Sequence, residues 1–288
     1  MSAPAVVLLH GFTHTGASWE PVVRALGERY LAIAPDIRGH GSATDAVPVG
    51  LAEVVADVVS VAPADGGFTL VGYSMGGRIA LHVALAASVA SGGPGGSAAG
   101  AASCSAGGSV AAGEAGAGSL AGRIERLVLI GASPWIADAS ERAARRAADD
   151  RLAEEIEATP DIATVAHRWA TSTPVLAGQP ARVGEWVDAI RRQNTPAGLA
   201  AALRGLGTGV LPSLWDRLGE LAMPVALVVG ERDFKFRGIA DEMAARIGQA
   251  DLVVVPGAGH AVHLEDPAVV ARVIGGAPPA ASRSAPGP

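Results

Sequence analysis

Residues 68–78 read FTLVGYSMGGR. FTLV is a short apolar run typical of a buried strand, and the residues from Met75 onward predict a helix. The segment 72–76, GYSMG, lies between them, in the strand–turn–helix context that a G-x-S-x-G nucleophile elbow requires. Glycines are needed there because the turn is tight and flanking Cβ atoms would clash. The pattern favours a nucleophilic serine at position 74 over a turn that merely joins strand and helix.

The rest of the chain repeats this alternation of strand and helix. Short apolar, β-branched runs predict strands at Ala5–Leu9, Leu31–Ala34, Phe68–Val71, Arg126–Ile130, Val225–Val229 and Leu252–Val255. Helices are predicted between them at Trp19–Arg29, Leu51–Val61, Met75–Ala90, Ile239–Ile247 and Pro267–Ile274. Such alternation predicts an α/β fold, with a mostly parallel open sheet and helices on both faces.

Three segments depart from this pattern. Residues 135–215 are rich in Ala, Arg, Glu and Trp and predict a helical lid over the carboxyl edge of the sheet, where ligands bind in open α/β sheets. Residues 92–122 are mostly Gly, Ala and Ser and predict a flexible insertion. The tail 276–288 is similar and predicts disorder. The α/β core is then 1–134, interrupted by that insertion, together with 216–275.

Composition excludes several classes of protein. The chain has 288 residues, a net charge of −6 and one cysteine. It therefore has no general basic surface for nucleic acid, no internal disulfide and no multi-cysteine zinc site. No signal peptide or membrane span is evident, which favours a cytoplasmic protein. No dinucleotide motif is present and the histidines at 260 and 263 lack a third ligand, so no metal and no cofactor are predicted.

A serine nucleophile needs a histidine base and an acid that orients it. The chain order that accompanies this elbow is Ser, Asp, His. Asp233 follows one predicted strand in GERDFKF, and His260 follows the last strand in VPGAGHAVHLEDP. Both positions lie just beyond strand ends and can converge on Ser74. His263 competes with His260, but its place next to the following helix favours a structural role.

A developing oxyanion is stabilised by backbone N–H groups. One is predicted at Met75, the residue after the nucleophile. The other is predicted at Phe12, in the loop after the first strand, with His10 and Gly11 shaping that loop.

Five segments together resemble the α/β-hydrolase superfamily: VVLLHGF, DIRGHGSA, VGYSMGGR, GERD and GAGHAVHLEDP. The segments GYSMGGR, GERDFKFRGIADEM and GAGHAVHLEDP are most similar to the MenH family, 2-succinyl-6-hydroxy-2,4-cyclohexadiene-1-carboxylate synthase of menaquinone biosynthesis. The resemblance implies a carbon–oxygen lyase that uses its serine triad for elimination. Its substrate, 2-succinyl-5-enolpyruvyl-6-hydroxy-3-cyclohexene-1-carboxylate, loses pyruvate, and no acyl-enzyme is needed.

The implied substrate is a small anionic polycarboxylate, which favours recognition by guanidinium groups. Arg78 lies one helical turn after Ser74. Resemblance to family segments adds Arg145 in SERAARR, Arg191 in AIRRQN and the aromatic Trp169 in the lid. Tyr73 is added because it sits beside the nucleophile. Shifted alignments would select other arginines: Arg142, Arg146 and Arg192. Lys235 is interpreted as structural or as part of the Asp233 loop.

Two alternatives share this machinery. The first is a serine-triad hydrolase of small esters, thioesters or C–C bonds, acting through an acyl-enzyme. Arginines facing Ser74 would favour the polycarboxylate, and an apolar lid would favour a neutral ester. The second is a non-catalytic binding protein that keeps the fold as a receptor. The oligomeric state is left open by the sequence.

Overall fold

The computed structural model of the chain describes residues 3–92 and 116–276. Among these residues, six strands form one sheet: β1 (Ala5–Leu9), β2 (Leu31–Ile33), β3 (Phe68–Tyr73), β4 (Ile124–Ile130), β5 (Val225–Gly230) and β6 (Ala250–Val255). Their order is β2-β1-β3-β4-β5-β6, and every neighbouring pair is parallel. The order reverses between β1 and β3, so the carboxyl ends of those two strands flank a crevice.

Within the described residues, ten α-helices accompany the sheet: α1 (Glu20–Leu26), α2 (Leu51–Val61), α3 (Met75–Ala90), α4 (Ala139–Glu157), α5 (Ile162–Ser172), α6 (Ala181–Arg191), α7 (Pro196–Leu206), α8 (Phe234–Ala244), α9 (Val262–Glu265) and α10 (Pro267–Ile274). Two apolar cores separate the layers. Val7 and Leu9 of β1 pack in one core with α2, α3 and α8. Val6 and Leu8 pack in the other with α1 and α10. Alternate residues of one strand thus serve opposite faces, which confirms the predicted α/β fold.

Some predicted boundaries were wrong by a few residues. Strand β2 ends at Ile33, whereas β4 and β6 begin two residues earlier than predicted. Helix α8 spans Phe234–Ala244 instead of 239–247, so it begins directly after Asp233. The predicted helix 19–29 is α-helical only over Glu20–Leu26 and ends at Gly27, which has a positive φ of 64°. Glycine adopts that conformation without a Cβ penalty, and it commonly ends helices.

The predicted insertion 92–122 lies mostly outside the described residues. Its end is described, however, and the structure corrects the predicted boundary. Gly118–Leu120 form a short 3-10 helix, in which Leu120 is fully buried, as is the preceding Ala117. Both belong to the core around α3, because their apolar side chains gain from burial there. Of the predicted disordered tail, only residue 276 is described.

Four helices, α4 to α7, lie between β4 and β5, and we call them the lid helices. Three of them have side-chain N-caps. Hydrogen bonds from backbone N–H groups in the first turns of α4, α5 and α7 are accepted by the side chains of Asp138, Asp161 and Thr195, respectively. Helices α4 and α7 pack through an apolar cluster of their own. In the described part of the chain, no helix is both long and apolar enough to cross a bilayer.

Candidate active site

The turn at Ser74 is a strained strand-to-helix elbow. Ser74 has φ 51° and ψ −109°, a conformation that L-residues rarely adopt. A Cβ on Gly76 would lie 2.2 Å from the Leu9 carbonyl oxygen, and one on Gly72 would lie 2.4 Å from the Gly76 carbonyl oxygen. The two glycines let α3 start directly above the sheet. The Ser74 hydroxyl therefore stands at the carboxyl edge, at the N-terminus of α3.

Asp233 and His260 meet Ser74 at this edge. Asp233 follows β5 and His260 follows β6, and both side chains are buried. The Nδ1 of His260 lies 2.6 Å from an Asp233 carboxylate oxygen, and its Nε2 lies 3.3 Å from the Ser74 Oγ. The carboxylate fixes the tautomer that leaves Nε2 free to accept the serine proton. The arrangement can raise the basicity of an otherwise weak hydroxyl.

The competing histidine, His263, does not reach the serine. It is fully buried, and its ring contacts those of Tyr73, Trp19 and His14 at centroid distances of 4.2, 4.7 and 5.7 Å. Neither ring nitrogen has a hydrogen-bond partner within the described part of the chain. Burial lowers the pKa of His263 to about 3, which keeps it neutral. Its place in an aromatic core agrees with the structural role expected.

The loop after β1 is held by a buried histidine. His10 donates from Nδ1 to the Gly11 carbonyl at 2.9 Å, and its Nε2 accepts the Ile37 N–H at 2.9 Å. Burial lowers the pKa of His10 to about 4, so this neutral tautomer persists. The loop places Phe12 beside Ser74 and Met75 on the wall of a cavity. The backbone N–H groups of Phe12 and Met75 remain the predicted oxyanion donors.

The cavity has a volume of about 940 Å³ and is bounded by the sheet edge and the lid helices. Its wall includes Ser74 and His260, so the reactive groups open into it. Five of the residues predicted around the serine also line it: Phe12, Met75, Arg78, Arg145 and Trp169. The Trp169 ring meets the Phe12 ring edge-on, at a centroid distance of 4.8 Å. A pocket of this size holds a substrate of a few hundred daltons.

Arg78 is a partly buried cation of this wall. Its guanidinium donates to the Thr208 hydroxyl and lies 5.9 Å from the centroid of the Trp135 ring. Its Nε has no partner among the described residues. Burial, reinforced by the neighbouring charge of Arg145, lowers the pKa of Arg78 to about 10. The group stays charged near neutral pH and has donors left for an anion.

Arg145 is the second predicted arginine on the wall. It donates from Nε to the buried Asp149 carboxylate at 2.8 Å, which orients its side chain across one turn of α4. The arginines that a shifted alignment would select, Arg142, Arg146 and Arg192, are not among the lining residues of the described cavity. Of the α4 arginines considered, only Arg145 thus lines the described cavity, and its contact with a substrate stays a prediction.

Two predicted substrate contacts are not at the cavity. Arg191 is only 1% exposed, and its Nε donates to the Thr13 hydroxyl at 3.3 Å, behind the wall. Burial lowers its pKa. The Tyr73 ring lies under His260 and His263 in the core shared with α1 and α10. Successive strand residues point to opposite faces, so the side chain before the elbow turns away from the cavity.

Sequence reasoning also missed residues that do line the cavity. Lys235, interpreted as structural, lies on the wall, as does Arg168 of α5. Phe236 faces His260, with ring centroids 4.5 Å apart. Trp135 has a positive φ of 66° and is almost completely buried, and its ring packs against the Arg78 guanidinium. The signal for Lys235 was its place two residues after Asp233, in the first turn of α8.

A parallel sheet with a serine elbow and a Ser-His-Asp set at its carboxyl edge defines the α/β-hydrolase class. The model of the Alpha/beta hydrolase family matches residues 6–273. Proteins named 2-succinyl-6-hydroxy-2,4-cyclohexadiene-1-carboxylate synthase, from Salmonella heidelberg and Salmonella enteritidis, are each 34% identical over 276 residues, 93% of this chain and 91% of theirs. The chain therefore belongs to the alpha/beta hydrolase family and, within it, to the family of these synthases.

Solved structures give the same result. MenH from S. aureus aligns with a TM-score of 0.78 and 26% identity, over 96% of this chain and 93% of that one. A hydrolase from Pseudomonas aeruginosa PA01 aligns with a TM-score of 0.68 and 23% identity, over 96% of this chain and 91% of that one. The second match is a likeness of fold alone.

Proposed function

We propose that the chain is a 2-succinyl-6-hydroxy-2,4-cyclohexadiene-1-carboxylate synthase, a lyase of menaquinone biosynthesis. Its substrate is 2-succinyl-5-enolpyruvyl-6-hydroxy-3-cyclohexene-1-carboxylate. The observation that carries the proposal is the pairing of a complete Ser-His-Asp geometry with the partly buried Arg78 on one cavity wall. The Salmonella heidelberg relative is named for this activity, and the alignment with this chain covers 91% of its length.

The proposed reaction begins with removal of a ring proton α to a carbonyl. Ser74 takes that proton while its own passes to Nε2 of His260, across the 3.3 Å contact. The electrons of the broken C–H bond form a new ring double bond, the ring double bond already present shifts by one position, and the C–O bond to the enolpyruvyl group breaks. The leaving enolpyruvate takes the proton back from His260 and tautomerises to pyruvate. The developing enolate is stabilised by the N–H groups of Phe12 and Met75.

Cations on the cavity wall support the choice of a polycarboxylate. Arg78 and Arg145 are proposed to bind two of its carboxylates, because a guanidinium presents paired donors in the plane of a carboxylate. Trp169 is proposed to contact the ring. Arg191 and Tyr73 lie behind the wall, so their proposed contribution is to support the site from the core. The cytoplasmic location and the lack of a nucleic-acid partner stay predictions.

The direct test supplies the cyclohexene substrate and follows pyruvate release through lactate dehydrogenase. The wild-type chain is expected to release pyruvate. Ser74→Ala is expected to slow release by about 1000-fold or more, since loss of a triad serine costs at least that much in serine enzymes. No release by the wild type, or undiminished release by Ser74→Ala, contradicts the proposal.

The alternative is a hydrolase of small esters, thioesters or C–C bonds that uses the same triad. The apolar part of the cavity wall favours it, notably Trp135, Trp169 and Phe236. A burst of p-nitrophenol from p-nitrophenyl acetate, without pyruvate chemistry, would select this alternative. Pyruvate release without an accumulating acyl-enzyme selects the lyase.

A further inference from the structure

Two charged side chains, Arg232 and Glu265, join the loops that carry the triad acid and base. Arg232 directly precedes Asp233, and Glu265 ends the short helix that follows His260. An Arg232 Nη2 donor lies 3.1 Å from the Glu265 Oε2. The same oxygen accepts the Gly259 N–H at 2.9 Å. One carboxylate oxygen therefore binds the neighbour of Asp233 and the neighbour of His260.

This contact is buried on the carboxylate side. The Glu265 side chain is 5% exposed and that of Arg232 is 44% exposed. A buried carboxylate is costly unless charged or N–H donors satisfy it, and hydrogen bonds to it are stronger than neutral ones. A Cβ on Gly259 would lie 3.0 Å from the other Glu265 oxygen. The carboxylate therefore sits directly against the backbone next to His260.

Further hydrogen bonds bring the same two loops together. The Arg232 N–H donates to the Ala258 carbonyl at 2.9 Å, and the Gly257 N–H donates to a Glu231 carboxylate oxygen at 2.8 Å. The 2.6 Å contact between Asp233 and His260 spans these loops and depends on their relative placement. Displacements of about 1 Å away from the reacting atoms can cost a large factor in rate.

Arg232 also reaches the lid. Its Nη1 donates to the Gly178 carbonyl at 2.9 Å. Gly178 lies between the 3-10 turn Pro174–Leu176 and helix α6, and Pro174 and Val175 line the cavity. One guanidinium thus contacts the lid loop that follows the cavity-lining turn with one nitrogen and the triad loops with another.

We propose that Arg232 and Glu265 are a positioning pair that sets the distance between Asp233 and His260, and that Arg232 ties the lid to this pair. Neither side chain lines the described cavity, so neither acts on the substrate directly. The inference rests on the proposed catalytic role of Ser74.

The test measures the rate at which a small serine-directed phosphonate labels Ser74, together with kcat and KM for pyruvate release. Glu265→Leu removes the acceptor, and Glu265→Gln keeps an oxygen able to accept both bonds. Arg232→Met removes the donors at similar volume. Arg204→Met is the matched control, because Arg204 forms a two-bond ion pair with Glu157 between lid helices, away from the triad loops.

Glu265→Leu is expected to lower the labelling rate and kcat about tenfold at unchanged KM, the kinetic equivalent of one charge-assisted hydrogen bond. Glu265→Gln is expected to recover most of that loss. Arg232→Met is expected to lower kcat similarly and to raise KM, because it also loses the lid contact. In the double variant of Arg232 and Glu265, kcat is expected to fall by no more than about 20-fold from the wild-type value, because the effects of two residues that act as a unit do not multiply.

Circular dichroism and thermal melts establish that each variant is folded at the assay temperature. If Glu265→Leu does not fold, the half-exposed position of Arg232 makes Arg232→Met decisive. Folded variants that label at the wild-type rate overturn the inference, as does a Glu265→Gln loss equal to that of Glu265→Leu. A labelling loss in Arg204→Met as large as theirs also overturns it. A wild-type chain that neither labels at Ser74 nor releases pyruvate overturns the proposed function itself.

Discussion

Replacing Arg78 by methionine should weaken the reaction while strengthening the fold. The guanidinium is held by the Thr208 hydroxyl and the Trp135 ring, and within the described residues no carboxylate forms an ion pair with it. Burial lowers its pKa from 12.5 to about 10. Because the pKa is lower in the folded than in the unfolded chain, holding the proton costs the folded state roughly 3 kcal/mol at any pH well below 10.

Methionine removes that cost and fills much of the same volume. The lost Thr208 hydrogen bond and the lost contact with Trp135 offset part of the gain, which leaves a net stabilisation of about 1–2 kcal/mol. The melting temperature of the unliganded protein should rise by about 2–4 °C. At the same time kcat/KM for pyruvate release should fall about 10–100-fold, the equivalent of losing one or two hydrogen bonds to a substrate carboxylate.

The assay pairs differential scanning fluorimetry with steady-state pyruvate release. Arg24→Met is the control, because Arg24 lies on α1 with a 72% exposed side chain whose one ion pair among the described residues is with Glu20. That exposed pair should be worth less than about 1 kcal/mol, and its loss should leave activity unchanged. A melting temperature that falls by several degrees in Arg78→Met, with kcat/KM retained, would refute the reasoning.

Three further predictions concern stability and binding. Four buried histidines have pKa values lowered to about 3 or 4: His10, His40, His82 and His263. The unfolded chain takes up these protons below about pH 6.5, whereas the folded chain does not until the pH is near 4. The free energy of unfolding is therefore highest above pH 6.5 and falls towards pH 4, by up to about 5 kcal/mol per pH unit. Urea midpoints that stay constant from pH 7 to 5 would contradict this. Gly76→Ala should destabilise the fold by about 2 kcal/mol or more, because the new Cβ would clash with the backbone at the end of β1. Gly184→Ala, whose Cβ would project into open space on α6, should stabilise the fold by up to about 1 kcal/mol. Chemical denaturation of both variants measures these changes. Arg145→Met should raise KM several-fold by losing one carboxylate contact of about 1–2 kcal/mol, and equal KM values for it and for Arg146→Met would count against the assigned position.

Local sequence determined much of the fold because strands and helices here follow short-range patterns. Helices Leu51–Val61 and Met75–Ala90 begin and end where their apolar periodicity predicts. The elbow is equally local, since the clash that demands glycine at 72 and 76 arises within a few residues of Ser74 and from the adjacent strand. The chain order of Asp233 and His260, each just past a strand, was enough to predict their meeting.

The sequence by itself therefore determined the sheet, the elbow and the residues that assemble around the serine. Only the tertiary structure decided which cations reach the cavity: it buries Arg191 behind the wall and places Lys235 upon it. Arginines occur on several faces of α4 and at the end of α6, so local periodicity does not select the one that faces inward. That choice depends on how each lid helix rotates to bury its few apolar side chains against the neighbouring helices, a balance of contacts between residues distant in the chain.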